Sequence, residues 1–262
     1  MKPLTGLTIH AGYLQTTMFA AIWTAISLTL LVASAATAAG CRTVVFEDTP
    51  FSVCESAPSD NIRLYLRDDE GAILGTFDRI IAKAKAETRD IVFAMNGGMY
   101  HSDRSPVGLY IEDGMEEVGI VTREGPGNFG LLPNGVLCIK DAKVAVIESR
   151  TFAANPPTCT FATQSGPMLV IDGALHPRFL PDSASRFIRN GVGVTQDGTV
   201  FAVISDVPVT FHHFARLFRD VLGTPNALFL DGKVSRLYAP ELNRRDFGFP
   251  FGPILAVTRA SD

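Results

Sequence analysis

Short runs of β-branched and apolar residues, four or five long, recur along the chain: Ile62–Leu66, Ile91–Met95, Val107–Ile111, Val136–Ile139, Val144–Ile147, Met168–Ile171, Val192–Thr195, Val200–Ile204, Ala227–Leu230 and Ile254–Val257. Runs of this length read as strands rather than helices. Among them stand Asp113-Gly114, Asn134-Gly135, Asp172-Gly173, Asp197-Gly198 and Asp231-Gly232. Such pairs supply the positive φ that tight hairpins demand. A chain punctuated in this way folds mainly into antiparallel sheet.

Two stretches carry a helical period instead. Phe77, Ile80, Ile81 and Ala84 fall on one face, with Lys83 and Lys85 turned outward. The second begins with Thr210 as N-cap, runs a stripe through Phe211, Phe214, Ala215, Phe218 and Leu222, and ends at Gly223 and Pro225. Each helix leads directly into a strand, and each of those strands ends in a polar, glycine-bearing turn, Asn96-Gly97-Gly98 and Asp231-Gly232. The parallel predicts an α+β fold: a large mixed, mostly antiparallel sheet with two main helices packed on it. Pro156-Pro157 and the stretch Leu175–Arg186 read as long loops within one domain, residues 39–262.

At 262 residues and 47% hydrophobic, the chain is large enough to bury a core and too apolar to be disordered. A net charge of −4 without a Lys/Arg block argues against a nucleic-acid partner. The N-terminal region has a different character. Between Lys2 and Arg42 no side chain is ionised at neutral pH apart from a possible charge on His10, Met18–Val32 is an apolar run without charged residues, and Ala36-Thr37-Ala38 fits a signal-peptidase site. Residues 1–38 are expected to be a cleaved export signal. The mature protein would then be periplasmic or secreted, with no stable membrane span. An uncleaved anchor and a lipidated Cys41 are the alternatives.

Cys41, Cys54, Cys138 and Cys159 all lie beyond that segment, and an even set in an exported chain points to disulfides. Of the three connectivities, Cys41–Cys54 with Cys138–Cys159 is preferred, since each pair flanks a strand-like segment.

Most standard catalytic constellations are absent. Gln164-Ser165-Gly166 lacks the upstream Gly of a nucleophile elbow, and no P-loop is present. His212-His213 are adjacent and diverge by about 100° on a helix, so no metal site is expected. Instead, polar residues close several apolar strands: Asn96 after Phe-Ala-Met, Gln164-Ser165 after Phe-Ala-Thr, Ser205-Asp206 after Phe-Ala-Val-Ile, and Asp231 after Ala-Leu-Phe-Leu. Each alone is a turn former; together they suggest one cleft at a sheet edge. Arg186 and Arg189 flank Phe187-Ile188 and are candidate anion clamps.

Asn96-Gly97-Gly98-Met99-Tyr100, Pro133-Asn134-Gly135-Val136, Gln164–Val170, Arg189–Gly198 and Ala227–Ser235 occur in this order. In series they resemble the phosphodiester glycosidase family over roughly Ile62 to Val257, nearly the whole mature chain. The resemblance implies hydrolysis of a sugar linked through its anomeric carbon to a phosphodiester; no cofactor is expected from the sequence. It places Asn96, Gly97, Gln164, Ser165, Gly166, Arg189, Asp231, Gly232 and Ser235 at the site. One departure is visible: Lys233-Val234 stands where enzyme-like members carry glycines.

The chemistry is consistent with that reading. A phosphomonoester leaving group has a second pKa of about 6, so it needs little protonation. One carboxylate with cationic and N–H stabilisation of phosphate then suffices. Asp231 is the expected carboxylate, with Asp206 second. Arg189 would hold phosphate, the Asn96-Gly97-Gly98 turn would offer amide donors, and Gln164 and Ser165 would bind sugar hydroxyls. The partner is therefore a glycan or sugar phosphate. The alternatives are a non-catalytic carbohydrate-binding or exopolysaccharide-assembly protein of the same fold, and an unrelated sugar- or phosphate-ester hydrolase.

Overall fold

A computed structural model describes residues 39–231 and 234–261. The expected signal segment and Gly232 lie outside the described residues. The first strands are β1 (Gly40–Phe46), β2 (Thr49–Ser56), β3 (Asn61–Tyr65), β4 (Arg89–Asn96), β5 (Tyr110–Glu112) and β6 (Met115–Val118). Next come β7 (Gly135–Lys140), β8 (Lys143–Glu148), β9 (Phe161–Ser165), β10 (Met168–Ile171), β11 (Ala174–Leu175) and β12 (Asn190–Val194). The last are β13 (Val200–Ser205), β14 (Asn226–Asp231), β15 (Leu237–Ala239), β16 (Arg244–Arg245) and β17 (Ile254–Ala260). The α-helices are α1 (Phe77–Ala86), α2 (Ser149–Ala154) and α3 (Phe211–Arg216), the last continuing into a π-helical turn, Leu217–Val221.

The fold is α+β and a single domain, with the strands divided among three antiparallel sheets rather than gathered in one. Sheet A runs β1-β2-β13-β12-β14-β10-β11, sheet B β16-β15-β4-β17-β3, and sheet C β6-β5-β9-β7-β8. The two main helices consequently cover different sheets. Phe77, Ile80 and Ala84 of α1 pack on Ile91, Ala94 and Ala256 of sheet B. Phe214 and Phe218 pack on Val203 and Phe229 of sheet A. All three sheets turn their other faces inward, where Phe93, Leu255, Leu137, Val192 and Leu228 share one core.

Strand alternation explains how one segment serves two layers. In β14, Leu228 and Leu230 enter the shared core, while Ala227 and Phe229 face the helix layer. Neighbouring β12 carries Val192 and Val194 inward and glycines at 191 and 193 outward. A Cβ on Gly193 would stand 2.7 Å from both Phe218 Cδ1 and Thr224 Oγ1, so only glycine admits the helix this close.

The local signals act as their chemistry predicts at several points. Thr76 and Thr210 cap α1 and α3 by accepting from the N–H groups of Arg79 and His213. Asp113-Gly114 and Asp172-Gly173 take positive φ at both residues and turn β5 into β6 and β10 into β11. Asn134-Gly135 does not form such a turn. Asn134 is buried, donates to the Phe129 carbonyl and accepts from Gln164 Nε2. β1 and β2 lie outside the apolar runs because Arg42, Thr43, Thr49 and Ser52 interrupt them. Both disulfides have the preferred pairing. Cys41 and Cys54 are directly opposite on β1 and β2, and Cys138–Cys159 ties β7 to the entry of β9.

Candidate functional site

The site forms where sheets A and B meet. β4 ends at Asn96 and β14 at Asp231; β12 begins at Asn190, which pairs with Asp231 across the ladder. Asn190 Nδ2 donates to the Asn96 carbonyl at 2.9 Å and so ties sheet A to sheet B. Asn96 Nδ2 reaches Asp231 Oδ2 at 3.5 Å, while its Oδ1 accepts from the Arg236 N–H at 2.7 Å. Ser235 Oγ donates to the Asp231 carbonyl at 2.8 Å, and Ser165 Oγ to the Leu230 carbonyl at 3.2 Å. The backbone at Asp231 is therefore anchored by Ser165 of β9 and by Ser235, four residues further along the chain.

Arg189 approaches the same place from the end of the long loop before β12. It is 1% exposed, yet no carboxylate pairs with it among the described residues. Its Nε donates to the Val209 carbonyl at 2.9 Å and its Nη2 to the Ser185 carbonyl at 3.1 Å. The guanidinium lies 3.6 Å from the centroid of the Phe211 ring, a cation–π contact. Burial lowers its pKa to about 10, so it stays charged at neutral pH. Ser205 Oγ accepts from the Arg189 backbone N–H at 2.9 Å and holds this segment in register.

Arg189 and Asp231 line one cleft of about 600 Å³, walled by Met99, Tyr100, Phe187 and Val234. Tyr100 is pushed up to about 12 by burial first and by the Asp231 charge second, against Arg104 and Arg236. It remains a protonated O–H donor beside the carboxylate. A cation, a carboxylate and a phenol in a half-enclosed space provide for anion binding, attack and proton donation. Among the described residues, no group of three or more His, Cys, Asp or Glu side chains is placed to hold a metal ion.

The other expected residues stand elsewhere. The Gly97 N–H donates to the Pro253 carbonyl at 2.7 Å, and a Cβ there would meet Leu255 N at 2.8 Å. Gly98 packs on Thr163. Gln164 faces away from Asp231: its Oε1 accepts from the Leu109 and Val121 N–H groups, and its Nε2 donates to the Val121 carbonyl and Ser149 Oγ. Gly166 packs on Asn134, where a Cβ would come within 2.5 Å of the asparagine Cβ. Arg186 is exposed on the loop. Asp206 accepts from Ser52 Oγ and pairs with Arg244 in a second cleft. Asn190, Tyr100 and Arg236 were not singled out from sequence, although the first two lie inside recognised motifs and the third follows Ser235 directly.

A family model described as phosphodiester glycosidase matches residues 89–251, which include every residue of this seam. The chain belongs to the phosphodiester glycosidase family. The uncharacterized protein YigE of Escherichia coli (strain K12) is 32% identical over 201 residues, covering 77% of this chain and 78% of its own. Two solved structures share the fold at 12% identity. The catalytic domain of zebrafish N-acetylglucosamine-1-phosphodiester α-N-acetylglucosaminidase, auto-inhibited by its pro-peptide, matches with a TM-score of 0.57 over 84% of this chain and 82% of that one. A Burkholderia pseudomallei K96243 protein assigned as exported matches with a TM-score of 0.56 over 80% and 74%. The family model thus spans both sides of the seam, from Asn96 in sheet B to Asp231 in sheet A.

Proposed function

We propose that this chain is an exported hydrolase that cleaves a sugar-1-phosphodiester of an envelope or extracellular glycan. The observation that carries the reading is that one cleft is lined both by Arg189, a buried guanidinium lacking a carboxylate ion pair among the described residues, and by Asp231. Arg189 would hold the phosphate. Asp231 would act at the anomeric carbon, either taking a proton from the attacking water or attacking as nucleophile. The C1–O bond breaks, its electron pair stays on the phosphomonoester oxygen, and water supplies the hydroxyl of the released sugar. Tyr100, which lines the same cleft, would donate to a phosphate or leaving-group oxygen.

Release of reducing sugar from a methyl α-glycosyl-1-phosphodiester tests this. Asp231→Asn should lower kcat by about 10²–10⁴-fold with the melting temperature unchanged. Equal turnover of a plain phosphomonoester would point to a different ester hydrolase. Two disulfides and a fold shared with a protein assigned as exported support export; mass spectrometry should find the mature chain starting near Ala39. The second reading, binding without turnover, is favoured by one feature: Val234 stands in the cleft wall, at a position for which the family resemblance implies glycine.

A further inference from the structure

A second cleft of about 620 Å³ adjoins the first, and Val234 lines both. The chain passes between them twice. Arg189 and Asp231 face the first cleft, while Ile188 and Ser235 face the second. A phosphodiester carries two organic groups on one phosphorus, so a phosphate held at Arg189 leaves one group to find a place beyond the cleavage site.

The second cleft has unusual surroundings. Phe247 and Phe249 stand on its wall 82% and 79% exposed, on either side of Gly248. Exposed rings beside a polar cleft mark a contact surface rather than a core. Three guanidinium groups also line it. Arg244 is paired with Asp206 and Asp246, and Arg245 with Asp78. Arg236 alone among them has no carboxylate ion pair among the described residues. It is 7% exposed, lies over the Phe251 ring at 5.4 Å and packs beneath Gly248. A Cβ on Gly248 would fall 2.5 Å from Arg236 Nη2, and its φ of 148° also favours glycine.

Resting on the proposed hydrolysis, we infer that this second cleft receives the leaving half of the substrate, and that this half is an acidic saccharide. The C–H face of a pyranose ring complements the electron-rich faces of Phe247 and Phe249. An anionic substituent on that ring complements Arg236, whose planar fork suits a carboxylate or phosphate. The phosphate under cleavage and the substituent would thus be read by two different arginines.

Three diesters that share one α-glycosyl-1-phosphate and differ in the alcohol, methyl, glucosyl or glucuronyl, test the inference. In the wild type, kcat/KM should rise about tenfold from methyl to glucosyl and about tenfold again to glucuronyl. Phe247→Ala/Phe249→Ala should abolish the first rise and leave the methyl diester unaffected. Arg236→Gln should abolish the second rise, read as the ratio of kcat/KM on the glucuronyl diester to that on the glucosyl diester. Equal losses on all three diesters, or no preference among them in the wild type, would overturn the inference. If none of the three turns over, the hydrolytic reading fails by itself, and calorimetric binding of the intact glucuronyl diester decides instead. Tighter binding to wild type than to either variant supports the acidic-saccharide cleft, and equal binding rejects it.

Discussion

Arg189 and Arg244 stand at the walls of neighbouring clefts, the first buried and the second half-buried, and their surroundings are opposite. Arg244 sits between Asp206 and Asp246, with Asp206 also held by Ser52. Burial works against its charge, but the two carboxylates outweigh that and raise its pKa. Among the described residues, the Arg189 guanidinium contacts carbonyl oxygens and aromatic faces, and burial lowers its pKa to about 10. A buried cation already neutralised contributes to structure. One left with neutral partners costs stability until an anion arrives, which is the usual condition of a binding site.

The comparison breaks most sharply at Arg189. Arg189→Lys and Arg189→Ala should each lose about thirtyfold to several hundredfold in kcat/KM on a sugar phosphodiester, an effect of roughly 2–4 kcal/mol. Lysine fails because an ammonium cannot reproduce the planar fork. Neutral glycosides should be poor substrates throughout, with little further loss; equal losses on charged and neutral substrates would leave Arg189 without a phosphate role. Arg189→Met should unfold in urea at or above the wild-type midpoint, since the desolvated charge is gone.

Arg244→Met should behave in the opposite way. Removing the shared partner leaves Asp206 and Asp246 facing each other half-buried, and the protein should lose about 1–3 kcal/mol to urea unfolding, less than for a fully enclosed pair. A midpoint equal to wild type would remove the distinction between the two arginines.

Glu112 extends the comparison to a carboxylate. Burial raises its pKa to about 7, against a hydrogen bond of 2.7 Å donated by the Tyr110 hydroxyl and with Asp113 adding to the rise. A folded pKa above the unfolded one means that the native state binds the extra proton. Its contribution to stability is complete below about pH 4.5 and disappears as pH rises through about 7. The unfolding free energy of the wild type from urea titration should fall relative to that of Glu112→Gln between pH 5 and 8, by about 1–2 kcal/mol after allowance for solvent screening. Parallel curves for the two proteins would contradict the shift.

Much of the fold is legible one segment at a time. Thr210 followed by the Phe211, Phe214 and Phe218 stripe specifies a capped helix, and Asp113-Gly114 and Asp172-Gly173 specify turns, because each signal acts over two to four residues. The disulfide pairs are legible for a similar reason, with sequence separations of 13 and 21 spanning neighbouring strands. Arg189 and Asp231 could be named from motif and chemistry, and they do share a cleft. Gln164 could not be placed in this way. A glutamine at a strand end looks the same whether it faces a ligand or, as here, braces the Leu109 and Val121 backbone.

The seam between the sheets is written in no single segment. It depends on Asn190 reaching Asn96 across 94 positions and on Asn96 meeting Asp231 across 135. Local propensity settles the hairpins and the capped helices, whose hydrogen-bond partners are close in sequence. Which strands share a sheet, and hence which polar ends face one cleft, follows from burying the apolar faces of three sheets against one another. That burial is a property of the assembled core, where Leu228 and Leu230 of sheet A meet residues of sheets B and C that lie far away along the chain.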